Sequence, residues 1–447
     1  MSHIAPEPPP GPRPDVVVVG GGICGLSCAV ALTRKGLRVR LLEQAAEFGE
    51  VGAGLQIAPN CTRILDHWGL LEEVKGLGVV PKSMIMYDAI DGSLLTELDL
   101  ADVERRYGFP YMVIHRSDLH ATLLRAAQWL GVELINSARC VSYEQQPDGA
   151  TAVFADGRRE SAPLVIAADG MHSVARSLLV DDEPVSSAYV AYRGALPIEQ
   201  VRANEVHEDA VVLYVGPRRH FVQYPLRSGE MFNQVAVFQS PKALAGEEDW
   251  GTPDELDGAF EGSCDAVRSG IPLMWRDRWW RMYDRDPIAN WVSGRIVLAG
   301  DAAHPPLQYM AQGAIMAMED AFVLAEHVGA QAALVPAERR GDGEPSGVDW
   351  DAATAAYNAV RPEHCRRVLS TGRVWGDLWH LDGEAREIRN ALLTARATGD
   401  YSFIDWIWGP TALTPDQEPE MFRPIPLTWE SVDAVQPEPD RPVSASA

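Results

Sequence analysis

The sequence is poor in basic residues and lacks any long apolar run. Its 447 residues include 39 Lys and Arg against 63 Asp and Glu, which gives a formal net charge of −24. A chain this acidic is a poor partner for nucleic acid and for anionic lipid, because both carry negative phosphates. No run of about 18 apolar residues is present, so no membrane span is expected. A local basic pocket for a small anion remains compatible with the overall charge.

Cysteines are few, and none forms the closely spaced CxxC pair of a zinc site. The six are Cys24, Cys28, Cys61, Cys140, Cys264 and Cys365. We therefore expect neither a metal site nor a disulfide framework. The proline-rich start, MSHIAPEPPPGPRP, lacks the apolar core of a signal peptide, so the expected location is the cytoplasm.

The composition is that of a globular protein, with 46% hydrophobic and 23% charged residues. Residues 1–14 are predicted to be a disordered lead, and residues 429–447 a flexible tail. Just after the lead, DVVVVG (15–20) predicts a buried strand, ICGLSCAVALTRKG (23–36) a helix and LRVRLLEQ (37–44) a second strand. This order predicts a βαβ unit.

The turn between this first strand and its helix has the spacing of a dinucleotide site. Gly20 permits the tight turn, Gly22 allows the backbone to approach a pyrophosphate, and Gly25 allows the helix to pack closely on the strand. Glu43 ends the second strand, where a carboxylate can accept hydrogen bonds from a ribose diol. This combination predicts the unphosphorylated ribose of FAD or NAD.

Three further glycine-containing segments follow at wide spacing. EVGAGLQIAPN covers 50–60, and VIAADGMHSVAR (165–176) is predicted as a strand that ends in an Asp-Gly pair. The segment 295–328 is predicted as a strand, a Gly-Asp turn, a proline-rich loop and a long apolar helix. A nicotinamide dehydrogenase would usually continue with alternating strands and helices instead, so this pattern is not typical of that class.

Together the motifs resemble the fingerprints of the single-component FAD-dependent aromatic hydroxylases, the para-hydroxybenzoate hydroxylase type. The similarity covers about residues 15–410 and is greatest to the 3-hydroxybenzoate 6-hydroxylases. It is carried by EFGEVGAGLQ, HRSDLHATLL, DEPVSSAYVAYRG, HFVQYPLR, DRDPIANWVSGR, GDAAHPPLQY and GRVWGDLWHLDG.

The resemblance implies an α/β fold, with a Rossmann-like FAD-binding domain, an antiparallel-sheet substrate domain and C-terminal helices. The implied parts are a first FAD-binding segment with interleaved substrate-domain strands (15–184), the substrate sheet (185–285), a second FAD-binding segment (286–330) and a helical region (331–428). Alternation of apolar residues over 185–240 independently predicts an antiparallel sheet with one covered face. In the helical region, WDAATAAYNAVRPEHCRRVL is predicted to break at Pro362.

The resemblance also implies residue roles around a noncovalently bound FAD. Asp301, after Gly300, would accept a hydrogen bond from the ribityl chain, and Arg116 would lie near the pyrophosphate. The other implied contacts are Asp169 near the pyrophosphate and the path of the nicotinamide, Pro305 and Pro306 beside the isoalloxazine, and the amides of Gly313 and Ala314 at its pyrimidine edge. The alternatives are turn or cap roles for the two aspartates and a surface ion pair for Arg116.

HFVQYPL is the predicted substrate-contacting strand. Alternation places His220, Val222 and Tyr224 on one face and the residues between them on the other. The resemblance implies that this face lines the pocket and that Gln308 approaches from the flavin side. An imidazole titrates near the working pH, so His220 is the predicted general base, with Tyr224 and Gln308 positioning the substrate. The alternative is that these side chains are only structural.

The implied activity is that of an FAD-dependent monooxygenase using NADH or NADPH and O2. Through a flavin hydroperoxide it would hydroxylate a hydroxybenzoate, with conversion of 3-hydroxybenzoate to 2,5-dihydroxybenzoate (gentisate) as the expected reaction. The alternatives are a decarboxylating salicylate 1-hydroxylase, a flavin oxidoreductase without oxygen insertion, and a nucleotide-binding module without chemistry. The resemblance also implies that the C-terminal helices join subunits in a homodimer, and the tryptophans are interpreted as packing residues.

Overall fold

The computed structural model describes residues 13–49, 54–202, 206–331, 333–341 and 346–409. The predicted tail, nearly all of the predicted lead and the start of EVGAGLQIAPN lie outside the described residues. Within the part of the chain that the structure describes, no helix combines the length and apolarity that crossing a membrane would require.

The strands alternate with helices in the first third of the chain and dominate its middle. The strands are β1 Val16–Val19, β2 Val39–Leu42, β3 Gly54–Ile57, β4 Ser83–Asp88, β5 Leu94–Asp99, β6 Met112–His115, β7 Glu133–Ile135, β8 Cys140–Gln146, β9 Gly149–Phe154, β10 Arg159–Ala162, β11 Leu164–Ala167, β12 Val185–Pro197, β13 Ala210–Gly216, β14 Arg219–Leu226, β15 Met231–Gln239, β16 Trp280–Asp284, β17 Val292–Ser293 and β18 Ile296–Leu298.

Helices flank the first sheet and fill the C-terminal part. They are α1 Ile23–Arg34, α2 Pro59–His67, α3 Leu71–Leu77, α4 Leu100–Tyr107, α5 Arg116–Trp129, α6 Pro241–Leu244, α7 Pro253–Phe260, α8 Asp265–Gly270, α9 Gly313–Gly329, α10 Trp350–Trp379, α11 Gly383–Ala395 and α12 Ser402–Trp408.

A six-stranded sheet in the order β17-β18-β11-β1-β2-β7 forms the first core, with only the β17–β18 pair antiparallel. The β1 strand is completely buried because both faces are covered, as its run of valines predicts. Helices α1 and α9 pack together on this sheet. The carboxyl ends of β1 and β11 lie side by side, since Val19 pairs with Ala167. The glycine turn after β1 therefore meets the Asp-Gly turn after β11.

A seven-stranded sheet in the order β16-β12-β15-β14-β13-β4-β5 forms the second layer, and it is antiparallel except for the β13–β4 pair. Its strands β4 and β5 come from the first quarter of the chain, far in sequence from the other five strands. In β14, Phe221 packs into a core with Phe238 and Phe260, whereas His220 and Tyr224 lie on the opposite face. The predicted α/β fold class is confirmed.

The prediction of a helix break at Pro362 is wrong. The α10 helix runs for 30 residues, with Pro362 inside it. A proline in a helix interior costs about 3 kcal/mol locally. Around it, Tyr357, Arg361 and Cys365 are buried against the rest of the first core, so tertiary packing outweighs the local penalty.

Candidate active site

One cavity of about 920 Å³ joins the two layers, and most of the predicted site residues line it. On the side of the six-stranded sheet the lining includes Gly20, Gly22, Glu43, Arg116, Asp169, Asp301, Gln308, Gly313 and Ala314, and on the side of the seven-stranded sheet it includes His220 and Tyr224. Gly25, Gly300 and Pro305 do not line the cavity. Pro306, the neighbour of Pro305, does. A volume at the upper end of the usual range for ligand sites suits a large cofactor.

The glycines of the first turn are required by close backbone contacts. A Cβ on Gly20, whose φ is +108°, would lie 2.2 Å from the carbonyl oxygen of Ala168. A Cβ on Gly25 would lie 1.8 Å from the carbonyl oxygen of Gly20. Any side chain at either position would push the turn away from the neighbouring strand or from α1. Gly25 therefore shapes the cavity from behind its wall.

The α1 helix presents an uncapped N-terminus to this cavity. Gly22 is its N-cap residue, so no side chain occupies the free amides, and the first turn holds no acidic residue. Free amides and the positive end of a helix dipole bind phosphate. The carboxylate of Glu43 accepts hydrogen bonds from the amides of Gly21 (2.6 Å) and Ala45 (2.8 Å) while still lining the cavity. It thus supports the turn as well as offering acceptor oxygens.

Asp169 lies where the β11 turn meets the cavity and is only partly satisfied. Its Oδ2 accepts hydrogen bonds from the Val174 amide (3.2 Å) and the Tyr143 hydroxyl (3.3 Å). Its Oδ1 is buried with no hydrogen-bond partner among the described residues. Burial raises the pKa of this carboxyl group. An acceptor oxygen left over in a cavity wall suits a hydroxyl-bearing ligand such as a ribityl chain.

The α9 helix presents a second uncapped N-terminus to the same cavity. Gly313 and Ala314 are its first residues, and its first turn contains no acidic residue and no capping side chain. Asp301 follows Gly300, whose φ of +61° allows the turn and whose Cβ would meet the Cys24 sulfur at 2.8 Å. A glycine cradle, two uncapped helix N-termini and an orphaned acceptor together fit FAD.

His220 is buried against a second histidine. It is 1% exposed, and its Nδ1 lies 2.9 Å from the Nε2 of His380. Rings of Tyr309 and Trp379 surround it at 5.6 and 5.3 Å between centroids. Burial, and secondarily His380, holds the pKa of His220 well below its ordinary value. The expectation that this imidazole titrates near the working pH is therefore wrong, because the strand face is dry rather than solvated.

Tyr224 occupies the same face as His220, and Gln308 lies across the cavity. The Tyr224 ring packs on Gly54, where a Cβ would come within 2.3 Å of its Cε2. Burial raises the pKa of Tyr224, so its hydroxyl remains a hydrogen-bond donor. Gln308 begins the 3-10 turn Gln308–Met310, between the proline-rich loop and α9. The structure thus brings the three predicted catalytic residues to one cavity.

Cavity residues that the sequence analysis did not assign to the site include an arginine and three tryptophans. Arg193 of β12 lines the cavity, and its Nε is buried without a hydrogen-bond partner among the described residues. Its guanidinium lies 5.3 Å from the ring centre of Trp280. Trp375, Trp379 and Trp408 pack in or against the hydrophobic cores and also line the cavity. Nothing in their local sequence distinguishes them from core residues.

A buried ionic network supports the Gly300 turn from behind. Arg361 binds Glu319 (3.0 Å) and Asp320 (2.8 Å), and Asp320 also accepts hydrogen bonds from His304 (2.6 Å) and the Gly300 amide (2.8 Å). Burial would lower the pKa of His304, but its interactions with Cys365 and Asp320 prevail and raise it well above the ordinary value.

The same network contains three groups with metal-ligand chemistry. Donor atoms of His304, Asp320 and Cys365 lie within 4.8 Å of one another. However, Nη2 of Arg361 lies 3.3 Å from the Cys365 sulfur and its Nε binds Asp320. A metal cation there would be placed beside a buried guanidinium, so the network is better satisfied as hydrogen bonds and ion pairs.

Comparison with known proteins agrees with this geometry. The family described as FAD binding domain matches residues 13–333. The 3-hydroxybenzoate 6-hydroxylase of Polaromonas naphthalenivorans (strain CJ2) is 37% identical over 401 residues, which cover 88% of this chain and 95% of that protein. A 3-amino-4-hydroxybenzoate 2-monooxygenase of Streptomyces platensis is 36% identical over 416 residues, covering 92% and 98%.

Solved structures with the same architecture include FAD-dependent enzymes. Klebsiella pneumoniae HpxO, complexed with FAD and uric acid, has 26% identity and a TM-score of 0.72, covering 86% of this chain and 93% of that one. A salicylate hydroxylase substrate complex has 25% identity and a TM-score of 0.69, covering 89% and 95%. The glycine cradle, the helix N-termini and these matches show that the chain belongs to the FAD-binding-domain family, as an FAD-dependent monooxygenase.

Proposed function

We propose that this enzyme hydroxylates 3-hydroxybenzoate at C6, giving 2,5-dihydroxybenzoate, with O2 and NADH or NADPH as co-substrates. The observation that carries the proposal is the cavity of about 920 Å³, which is lined both by the dinucleotide turn and by His220, Tyr224 and Gln308. Noncovalently bound FAD would supply the hydride acceptor and the activation of O2. Relatives named 3-hydroxybenzoate 6-hydroxylase, at 37% and 36% identity, support this substrate.

The cavity is locally suited to an aromatic acid although the chain is acidic overall. Its charged lining consists of Arg116, Arg139, Arg193 and Arg396 against Glu43, Asp169 and Asp301. The unpartnered Nε of Arg193 marks a place for a hydrogen-bond acceptor. Tyr224 and Gln308 then orient the ring through its carboxylate and hydroxyl, which fixes the carbon that reacts.

His220 would accept the proton of the substrate hydroxyl. Its Nδ1 contacts His380, so Nε2 is the nitrogen that it can offer to the cavity. Because its pKa lies well below the usual value, the ring is neutral, and its cavity-facing nitrogen can accept a hydrogen bond from the substrate hydroxyl. Loss of the phenol proton raises electron density ortho and para to the oxygen, and C6 is the para carbon of 3-hydroxybenzoate.

The wall around His220 would limit side reactions. Tyr309, Trp375 and Trp379 line this part of the cavity, and their rings pack edge to face against one another. An apolar aromatic wall excludes water from the reacting groups. Exclusion of water would favour oxygen transfer to the substrate over release of H2O2.

A homodimer is the assembly that we propose for this enzyme. Ile388 and Leu392, four residues apart on α11, are 62% and 64% exposed, and Val374 of α10 is also exposed. Exposed apolar side chains at helical spacing are typical of subunit contacts. Light scattering of the purified protein should give twice the mass of the chain, and the mass of a single chain would contradict the proposal.

A substrate panel tests the proposed activity. NADH and NADPH oxidation would be followed with 3-hydroxybenzoate, salicylate, 4-hydroxybenzoate and 3-amino-4-hydroxybenzoate, with chromatographic identification of each product. We expect fastest oxidation with 3-hydroxybenzoate and 2,5-dihydroxybenzoate as its product, whereas 3-methoxybenzoate, which has no ionisable hydroxyl, should not be hydroxylated. Catechol and CO2 from salicylate would instead identify a decarboxylating hydroxylase. H2O2 equal to the nicotinamide consumed with every compound would exclude oxygen insertion.

A further inference from the structure

His220 and His380 form a buried pair that crosses from the cavity wall towards the surface. His220 lines the cavity and is 1% exposed, whereas His380, at the end of α10, is 8% exposed. Their rings stack at 5.1 Å and 22°, with Nδ1 of His220 and Nε2 of His380 at 2.9 Å. One imidazole therefore donates a hydrogen bond directly to the other. The pair has an inner end at the cavity and an outer end beside exposed residues.

Several contacts hold His380 in this position. Its carbonyl oxygen accepts a hydrogen bond from the Arg218 amide (3.2 Å), in the turn that leads into β14. Its ring stacks on Tyr189 at 4.6 Å and 17°. The buried Arg389 of α11 donates to the Trp379 carbonyl oxygen at 2.6 Å, which fixes the end of α10. Contacts from β12, the β13–β14 turn and α11 thus position a single side chain next to His220.

A base as buried as His220 needs an outlet for the proton that it accepts. Burial disfavours its charged form, which is why its pKa lies well below the ordinary value. Burial, and secondarily Arg389, lowers the pKa of His380 to about 3. Neither ring is therefore suited to store a proton, but a chain of two neutral rings can pass one along without holding charge.

We propose that His380 is the second member of a proton relay that carries the substrate's phenol proton from His220 to solvent. The inference rests on the proposed role of His220 as the base. As Nε2 of His220 takes the phenol proton, its Nδ1 hydrogen passes to Nε2 of His380, and the Nδ1 hydrogen of His380 leaves to water. The reverse passage returns a proton to the product and restores both rings, so no other reactant is consumed.

The charged and titratable groups around the pair are consistent with an outer end at His380. Tyr189 of β12 and Tyr309 of the 3-10 turn face the rings, and burial raises the pKa of both, so neither competes as a base. Arg389 of α11 repels a proton that stays on His380. Beyond it, Arg218 and Asp382 form an ion pair at 3.8 Å whose side chains are both exposed.

The test measures proton release on substrate binding, without turnover. FAD-loaded enzyme without nicotinamide would be mixed rapidly with 3-hydroxybenzoate in weak buffer containing a pH indicator. The key variant is His380→Gln, whose amide oxygen can still accept the hydrogen bond from His220 but cannot pass a proton on. His380→Phe, which keeps the ring stacking, is a second variant in case the first fails to fold. His207→Gln, at an exposed histidine, is the matched control.

The relay predicts that His380→Gln slows proton release by about tenfold or more, while the Kd for 3-hydroxybenzoate stays within about twofold of wild type. Added imidazole should restore the rate in a concentration-dependent way, and His220→Ala combined with His380→Gln should be no slower than His220→Ala alone. If His380→Gln releases the proton at the wild-type rate while His220→Ala releases it slowly, the relay is overturned but His220 remains the base. If both variants release the proton at the wild-type rate, or if the wild-type enzyme releases no proton, the role of His220 as the base is overturned as well.

Discussion

Gly54 is the residue that determines where the Tyr224 ring lies. A Cβ on Gly54 would lie 2.3 Å from Cε2 and 2.6 Å from the hydroxyl oxygen of Tyr224. We expect Gly54→Ala to push the ring into the cavity and to lower kcat/KM for 3-hydroxybenzoate by roughly 10- to 100-fold, since small misplacements are costly. FAD content should be unchanged. Gly76→Ala in α3, where a Cβ meets nothing within 4 Å, is the control. If Gly54→Ala and Gly76→Ala have the same kcat/KM for 3-hydroxybenzoate, the positioning role of Tyr224 is disproved.

His220 is the residue on which the proposed chemistry depends. Steady-state turnover of His220→Ala should be slower than wild type by roughly 10²- to 10⁴-fold, the usual effect of a general base. FAD should remain bound, because β14 lies outside the dinucleotide turn. The product should be the same, with more H2O2 per nicotinamide consumed, and His207→Ala should behave as wild type. If His220→Ala turns over at the wild-type rate, the residue is only structural. If His220→Ala does not bind flavin, the measurement is repeated with His220→Gln.

The sequence predicted the direction of these side chains but not their surroundings. Strand alternation is local, so the shared face of His220 and Tyr224 could be read directly. His380 lies 160 residues further along the chain, and no local pattern links it to His220. The lowered pKa of His220 follows from burial by α10 and the 3-10 turn, which are likewise distant in sequence. Site geometry of this kind depends on packing between segments.

At the scale of elements, the contact of α10 with α9 depends on buried ion pairs. Arg361 is completely buried between Glu319 and Asp320. Arg361→Met should lower the free energy of unfolding by about 3–5 kcal/mol, because two carboxylates would be left buried without their cation. The control on the same helix is Arg366→Met, which removes an exposed pair with Glu363 and should change stability by about 0.5 kcal/mol or less. Urea unfolding measures the free energy of unfolding of both variants. If Arg361→Met loses as little stability as Arg366→Met, the stabilising role of the buried ion pairs is contradicted.

The docking of α11 on the seven-stranded sheet is expected to depend on pH. Burial would raise the pKa of Asp88, but hydrogen bonds from Arg386 and Asn390 prevail and lower it to about 2. A depressed carboxyl pKa stabilises the fold above the unfolded value of about 3.9, and this contribution is lost as the pH falls from about 4 to 2.

Acid titration of tryptophan fluorescence tests this expectation, because Trp379 lies next to the α10–α11 corner. Asp88→Asn should weaken the fold at neutral pH and remove much of its pH dependence between about 4 and 2. Asp91→Asn, whose carboxylate is exposed and lies 3.4 Å from Arg386, should retain the wild-type profile. Identical profiles for wild type and Asp88→Asn would be evidence against this contribution of Asp88.

Elements were predictable where their signals are local. The first βαβ unit follows from the valine run, the glycine spacing and the helical periodicity. The continuity of α10 through Pro362 did not follow, because its stabilising contacts come from α9 and the first core. For the same reason, the packing of β4 beside β13 could not be located from their own residues.

At the scale of the whole molecule, the acidic chain encloses a cavity with a more basic lining. The net charge of −24 describes the surface seen by large partners. The cavity forms where the glycine turns, β14 and the end of α10 converge, and its lining contains four arginines. Motif spacing could identify the cofactor half of this cavity, whereas the substrate half depends on segments brought together only by folding.

The most direct measurement of the central claim is the fate of the oxygen atoms. Purified FAD-loaded enzyme would be supplied with 3-hydroxybenzoate, NADH and isotopically heavy O2, and the product would be analysed by mass spectrometry. We predict 2,5-dihydroxybenzoate carrying one heavy oxygen atom in its new hydroxyl, in an amount close to the NADH consumed. Unlabelled product, recovery of intact 3-hydroxybenzoate with all of the oxygen as H2O2, or a product labelled at another ring carbon would contradict the proposed 6-hydroxylation.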